Sequence, residues 1–422
     1  MRRIAVLGVL FALASAGVAD QGWVANRGGT TISVFDPATN TELPGSPITV
    51  GTAPVDIASD QPDGVAPTTL FVANSGSGDV ALVDAASKVV VGIVTGDSTY
   101  GTFLNPSGIT RTHNGFIAVV DEKVVGAQKS TVRFLHPATG AVIDGFIDPT
   151  STARYVDVVS TANGRLWVAD DGYDGIVVLH LGGFAGPTYP AWLNRTIQFS
   201  GLEDYADVIW DNVNSPKQYL INPQRLATNG TDRVVVADTG SDVVTILDAN
   251  YPSGATSVAI VANVDLGLAS GKVCTDVEIA GTKIYVTTTD PAAPVKIVSL
   301  TTGAVLPGPS GSITTTVGGI GRAVDGSKVY VGGGVGIATI YEINTTTDAA
   351  TIATAGFSGG SFPFGFVLAP TATLPGPSGM EATNDGCGLL GLEAALLLGL
   401  LAVRRRRHSP RDAQKSSSSS PQ

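Results

Sequence analysis

An all-β protein is what this sequence predicts, and three observations carry the prediction. The 422 residues include 52 glycines, 43% hydrophobic residues and only 14% charged ones. That is too turn-rich for a helical protein, and the chain is too long for one small core. Short apolar, β-prone runs recur along it, each bounded by turn residues. One stretch, residues 23–60, returns in diverged form down to about residue 372.

Within that stretch WVAN (23–26) is apolar, RGGT turns the chain, and TISVFD (31–36) places Ile32 and Val34 on one face. Together they predict a hairpin. PATN is a Pro-led turn in which Asn40 can take a left-handed conformation, and ELPGSPITVG is an irregular strand whose two prolines block the ladder along one edge. It suits an outer position. After Gly51, PVDIASD opens a fourth run of small and apolar residues, suited to strands crowded around an axis.

The order of these pieces resembles the YVTN-type β-propeller repeat: YVTN, a Gly/Asn turn, VSVID, TATN, a strand ending in VG, then P-x-G-x-A. The first copy matches nearly throughout and later copies keep less. Taking the second strand as marker gives seven copies: WVAN (Trp23), LFVANSG (Leu70), FIAVVD (Phe116), LWVADDG (Leu166), VVVADTG (Val234), IYVTTTD (Ile284) and VYVGGG (Val329). Innermost strands fall between them, at Pro54, Pro106, Tyr155, Asn222, Cys274, Gly319 and Pro363. The first copy lacks an innermost strand and the last such strand lacks a second one, so the two chain ends can complete one blade. The expectation is a monomeric, seven-bladed β-propeller of four-stranded antiparallel blades over residues 20–372, closed so that no sheet edge of the array stays free.

Both ends read as addresses. Residues 1–19 carry Arg2, Arg3, an apolar run and small residues before position 20, the build of a secretory signal peptide. After a linker at 373–386, residues 387–407 hold about sixteen mainly apolar residues followed by Arg404, Arg405, Arg406 and Arg407. The apolar run is short beside the ~20 residues a span needs, and the arginines would hold that end in the cytoplasm. Short motif, apolar helix and arginine cluster resemble the PEP-CTERM and GlyGly-CTERM class of sorting signals, and Gly-Cys-Gly around Cys387 is most like the MYXO-CTERM kind. The resemblance implies an intramembrane sortase-like protease acting near Cys387, a transient inner-membrane anchor, and a product at the cell surface or released. Residues 408–422, Ser-rich, are expected to be disordered.

The formal net charge is −11 overall and −17 within residues 20–386, so polyphosphate backbones are repelled and nucleic acid is excluded as a partner. Two cysteines, Cys274 and Cys387, give no disulfide framework, and Cys274 reads as a small apolar residue at the start of a buried strand. His113, His136 and His180 are scattered and form no ligand cluster. No CxxCH is present, and no cofactor is implied. DDGYDG (170–175) has calcium-like spacing, yet the same turn recurs in other copies as ANRGG and ADTGSD, which favours a tight hairpin.

Two places remain as candidate ligand sites. Near the first residues of the innermost strands stand Asp56, Asp157, Arg225, Asp276 and Arg322, expected to ring one mouth of the central channel and either to pair with one another or to hold a polar ligand. The fourth copy carries a long insertion between His180 and Asn222, with Trp192, Tyr205 and Trp210 as candidate contacts. Relatives in the wider superfamily include lactonases and redox proteins, but none of their site residues can be carried over. The expectation is therefore an exported, non-catalytic binding module for an unidentified protein or small molecule, with no catalytic or metal residues. The competing reading is a lactonase-like hydrolase using a divalent cation at the channel mouth.

Overall fold

The computed structural model describes residues 20–122, 129–147, 153–172, 174–181, 220, 222–250, 260–311, 313, 317–323, 325–333, 339–354 and 363–370. They form seven antiparallel blade sheets plus one small hairpin, Gly96–Asp97 with Gly101–Thr102. Blade 1 contains both ends of the described chain: Pro363–Pro370 is innermost, followed by Asp20–Asn26, Thr31–Asp36 and an outer strand in two pieces, Thr41–Glu42 and Ile48–Thr49. The prolines at 44 and 47 lie between those pieces, as the sequence led us to expect, and Asn40 has φ of 56°. Blade 2 runs Pro54–Ser59, Thr69–Asn74, Asp79–Asp84, Val89–Val94; blade 3 runs Pro106–Arg111, Ile117–Asp121, Thr131–Leu135, Val142–Ile147. Blade 4 has Tyr155–Thr161, Arg165–Asp170 and Gly175–His180 among the described residues. Blade 5 is Pro223–Thr228, Arg233–Asp238, Val243–Asp248, Ile260–Asp265; blade 6 is Cys274–Ala280, Lys283–Thr288, Val295–Ser299, Val305–Leu306. Blade 7 is Val317–Arg322, Lys328–Gly333, Ile340–Asn344, Ala350–Thr354.

Each innermost strand packs against the next, and Pro363–Pro370 packs against both Val317–Arg322 and Pro54–Ser59, so the ring is shut. Its closure is one antiparallel ladder in which Trp23 faces Val367 and Val24 faces Phe366. The second strands are buried along nearly their whole length, because each is covered on both faces by neighbouring blades. That explains why they read as continuous apolar runs rather than alternating ones. Apolar clusters accordingly form at the seams, each joining two adjacent blades: Trp23 and Ile32 of blade 1 meet Ile57 and Leu70 of blade 2, and Trp167 of blade 4 meets Val234 of blade 5. Burying one such side chain contributes about 2–3 kcal/mol. The closing seam adds an edge-on contact of Phe35 with Tyr330 at 5.3 Å, and Lys328 Nζ donates to Pro37 O at 3.0 Å.

Two irregularities recur with the blades. Four outer strands carry a bulge against the third strand, beside Val91, Ile143, Val261 and Ala353. Such bulges blunt an exposed sheet edge. All seven innermost strands carry another irregularity near their start, between the first and third residues in five, as at Pro54/Asp56 and Tyr155/Asp157, and between the first and fourth in Val317–Arg322 and Pro363–Pro370. It turns successive residues toward the axis, so the second residue of every strand joins one cavity lining and the third, in five of the seven, joins the other, in a register simple alternation would not give.

At the third position the blades carry Asp56, Gly108, Asp157, Arg225, Asp276, Gly319 and Gly365. The three aspartates act as clips. Asp56 accepts from Ile57 N–H at 2.8 Å and, across the seam, from Ile109 N–H at 3.0 Å. Asp157 does the same for Val158 and Leu226, both at 2.8 Å, and Asp276 for Val277 and Ile320 at 2.8 and 3.1 Å. The glycines leave room for backbone: a Cβ on Gly365 would lie 2.6 Å from Asp56 Cα, and one on Gly319 only 1.7 Å from Phe364 O.

Burial pushes the Asp56 carboxyl up to about 7, aided by nearby Asp157, and pushes Asp276 up to about 8. Their backbone donors oppose the shift without cancelling it. Each group therefore binds its proton more tightly folded than unfolded, and stability is lost as pH rises from the ordinary carboxyl value of 3.8 toward about 8. Thermal melts should show a lower Tm at pH 8.5 than at pH 5.5, with Asp276→Asn making the decline shallower; an unchanged slope in that variant rules out this origin. Separately, Gly319→Ala and Gly365→Ala should each lose at least ~2 kcal/mol in urea unfolding, because backbone atoms cannot move aside for the added methyl.

Candidate functional site

The second residues of all seven innermost strands, Val55, Ser107, Val156, Gln224, Thr275, Gly318 and Phe364, line one cavity of about 460 Å³ at the end of the channel where those strands begin. This is the mouth. Around it stand Arg27, Ser75, Glu122 and Thr239, each directly following the last residue of its blade's second strand, together with Asn105 and Arg154 just ahead of innermost strands. A second cavity of about 260 Å³ lies further along the axis, lined by Asp56, Asp157, Asp276, Glu278 and Arg322 among others. Val55, Arg225 and Phe364 belong to both linings and so form the wall between them.

One polar chain crosses the mouth through three blades. Asn105 Nδ2 donates to Glu122 Oε2 at 2.6 Å, Arg154 Nε approaches Glu122 Oε1 at 2.8 Å, and Arg154 Nη2 lies 2.8 Å from Asp171 Oδ2. Gln224 Nε2 also donates to Asp171 Oδ2, at 2.7 Å. Asn105 is fixed in turn by Asp121, which accepts from the Leu104 and Asn105 N–H groups and is bridged at 2.9 Å by the buried Arg133. Burial raises the Glu122 and Asp171 carboxyls, against the pull of Arg154, with Asp171 adding to the shift of Glu122 and Asp174 to that of Asp171. Facing this chain, Arg27 and Arg225 both stack on the Phe364 ring, at 4.8 and 4.4 Å from its centroid. Two guanidiniums, Arg27 and Arg225, thus converge on the mouth beside an Arg154 already paired with Glu122 and Asp171, which is an arrangement for an anion or a developing oxyanion.

Of the residues expected at the channel, Asp56, Asp157, Arg225 and Asp276 come together in the second cavity, whose lining Arg322 shares, and of the four only Arg225 also lines the mouth. Arg225 Nη1 lies 3.8 Å from Asp157 Oδ1, the one ion pair among these four. Arg322 lies deeper along its strand than expected: Gly319 holds the third position, and Arg322, three residues on, is paired with Glu278 at 3.3 Å and with the exposed Asp63 at 2.9 Å. Burial pushes Glu278 up to about 7. Trp192, Tyr205 and Trp210, like Cys387 and Arg404–Arg407, lie outside the described residues. Cys274 opens its strand fully buried. Sequence reasoning missed Arg27, Glu122, Arg154, Asp171 and Gln224. For three of them the signal was the residue after the Asn or Asp that closes five of the second strands, where Arg27, Glu122 and Asp171 stand in place of Ser75 and Thr239.

Among the described residues, no group of three or more His, Cys, Asp or Glu could hold a metal ion. The aspartates of the channel spend both carboxylate oxygens on backbone N–H groups, so they do not fit the divalent cation that the hydrolase reading invoked. No helix among the described residues is long and apolar enough to cross a membrane.

No family model matches the chain, and no curated protein matches it either. Solved structures do. The periplasmic gluconolactonase PpgL of Pseudomonas aeruginosa is similar with a TM-score of 0.59 at 14% identity, covering 83% of this chain and 99% of that one. A provisionally named 6-phosphogluconolactonase of Bacteroides fragilis gives 0.60 at 16%, covering 84% and 99%. A protein of unknown function from Desulfotomaculum acetoxidans gives 0.57 at 14%, covering 83% and 99%. At these identities the likeness is one of fold. It nevertheless corrects the expectation that the chain is not an enzyme: two of the propellers it resembles are named for lactone hydrolysis, so the architecture gives no ground for setting hydrolysis aside.

Proposed function

We propose that the chain is a hydrolase of a lactone or closely related cyclic ester, acting in the 460 Å³ mouth. The observation that carries this reading is the convergence there of Arg225 and Arg27 on one side with Glu122, a carboxyl raised by burial, on the other. The fold likeness to lactonase-named propellers supports it. In the proposed reaction Glu122 takes a proton from water as the water oxygen bonds to the lactone carbonyl carbon. The carbonyl electron pair moves onto its oxygen, which the N–H groups of Arg225 and Arg27 receive. Collapse breaks the ring C–O bond, and the leaving oxygen takes the proton from Glu122, giving a hydroxy acid. Arg154, held by Asp171, keeps Glu122 in place. No step needs a cation.

We also propose that the protein is exported and sorted through its C-terminal segment to the cell envelope or beyond, on the residue pattern around Cys387 and Arg404–Arg407.

Hydrolysis of δ-gluconolactone, followed by proton release above the spontaneous rate, tests the first reading. Arg225→Ala should cost about 10²-fold in kcat/KM, the usual loss for an oxyanion donor, and Glu122→Gln should cost ~10²-fold in kcat. Lack of activity toward this and other simple lactones in the wild-type chain defeats it. For the second, the mass of the mature protein recovered from cells should fall short at both ends, and Cys387→Ser should leave the C-terminal segment attached.

A further inference from the structure

Arg225 is the single cation at a position that the other six blades fill with Asp or Gly. Its side chain is 13% exposed, and among the described residues it makes no hydrogen bond. It is held by the Phe364 ring at 4.4 Å and by Asp157 Oδ1 at 3.8 Å, a distance that leaves its N–H donors unspent. Because it forms the wall between the two cavities, it meets the mouth on one side and the carboxylates of Asp56, Asp157 and Asp276 on the other.

We infer that Arg225 holds an oxyanion, a sulfate, phosphate or carboxylate, in the mouth, and that the three aspartates behind it set the strength of that hold by competing for its charge. This rests on the reading that Arg225 receives the substrate's oxyanion. An ionised ring neutralises the guanidinium from behind, and a protonated ring leaves its charge to the ligand. The competition is steep because Asp157 and Asp276 are buried and Arg225 nearly so, and between buried groups one charge acts on another more strongly than in water. Burial raises all three carboxyls, Asp56 to about 7 and Asp276 to about 8, so the ring changes charge across the neutral range. The other charged groups facing the site are Arg27, which shares Phe364, the Glu122–Arg154–Asp171 chain across the mouth, and in the aspartates' own cavity Glu278, pushed up to about 7 by burial, with its partner Arg322 and Asp63. Their protonation would act in the same direction, which is why a variant of the ring itself is needed.

Sulfate, a dianion throughout the range, is the probe, titrated calorimetrically into the full chain at pH 6, 7.5 and 9. Wild type should bind sulfate at least about tenfold more tightly at pH 6 than at pH 9. Asp276→Asn, which does not touch Arg225, should bind about threefold or more tightly than wild type at pH 9 and show a shallower dependence. Arg225→Ala should lose both binding and its dependence on pH. Wild-type titrations at pH 7.5 in two buffers of different ionisation heat should show proton uptake on binding, a readout that needs no variant. Sulfate affinity independent of pH, or an Asp276→Asn variant no tighter than wild type at pH 9, overturns the inference. A chain that binds sulfate with this dependence but hydrolyses no lactone overturns the hydrolase reading alone, and one that hydrolyses lactone with pH-independent sulfate affinity overturns this one alone.

Discussion

The ladder between Asp20–Asn26 and Pro363–Pro370 is the constraint on which the rest of the structure depends. A single blade cannot bury its own apolar faces, since both sides of its second strand need a neighbour. Seven sheets in a row would still leave two faces wet and two blades incomplete. Joining the ends turns every face into a seam, and the fully buried Trp23, Trp167, Tyr285 and Tyr330 show how evenly the burial is then distributed around the ring. Stability in this architecture is a property of the circuit.

The bulge at the start of each innermost strand links that circuit to chemistry. By aiming two consecutive residues toward the axis it builds two tiers from seven strands. The upper tier mixes small, polar and aromatic residues and carries the mouth. The lower tier alternates carboxylates with glycines over part of the ring, and the glycine makes room for the aspartate of the next blade: a Cβ on Gly108 would lie 2.8 Å from Asp157 Cα, and one on Gly365 2.6 Å from Asp56 Cα. Where the alternation breaks, at Arg225, the two tiers share a wall. The site is therefore an interruption of a structural pattern, and its electrostatics come from groups whose first task is to hold blades together.

Architecture was legible in the sequence because it repeats. Seven apolar second strands, proline-broken outer pieces in the first copy and an unmatched strand at each end suffice to predict the ring and the blade on which it closes. The channel aspartates and Arg225 were also within reach, since YVDVVS, CTDVEIA and NPQRLA align on them. The mouth was not. A bulge moves the inward register by one residue without altering composition, so Ser107, Gln224 and Phe364 look outward-facing to any argument from alternation. In VGGIGR the glycines erase the marker altogether, and Arg322 was placed three residues too early. Arg27, Glu122 and Asp171 sit in turns whose Gly, Asn and Asp already account for a hairpin, so their charges carried no separate signal. Arg154 is brought to Glu122 and Asp171 only by the curvature of the ring.

Phe364 comes from the last strand of the barrel-like array and Arg27 from the turn after the first, more than three hundred positions apart in the chain, yet they share one ring face environment with Arg225. During synthesis the polypeptide can complete its middle blades long before this aromatic platform exists. That platform is thereby reserved for molecules that have finished circularising, and a nascent or clipped chain, however well packed elsewhere, lacks it.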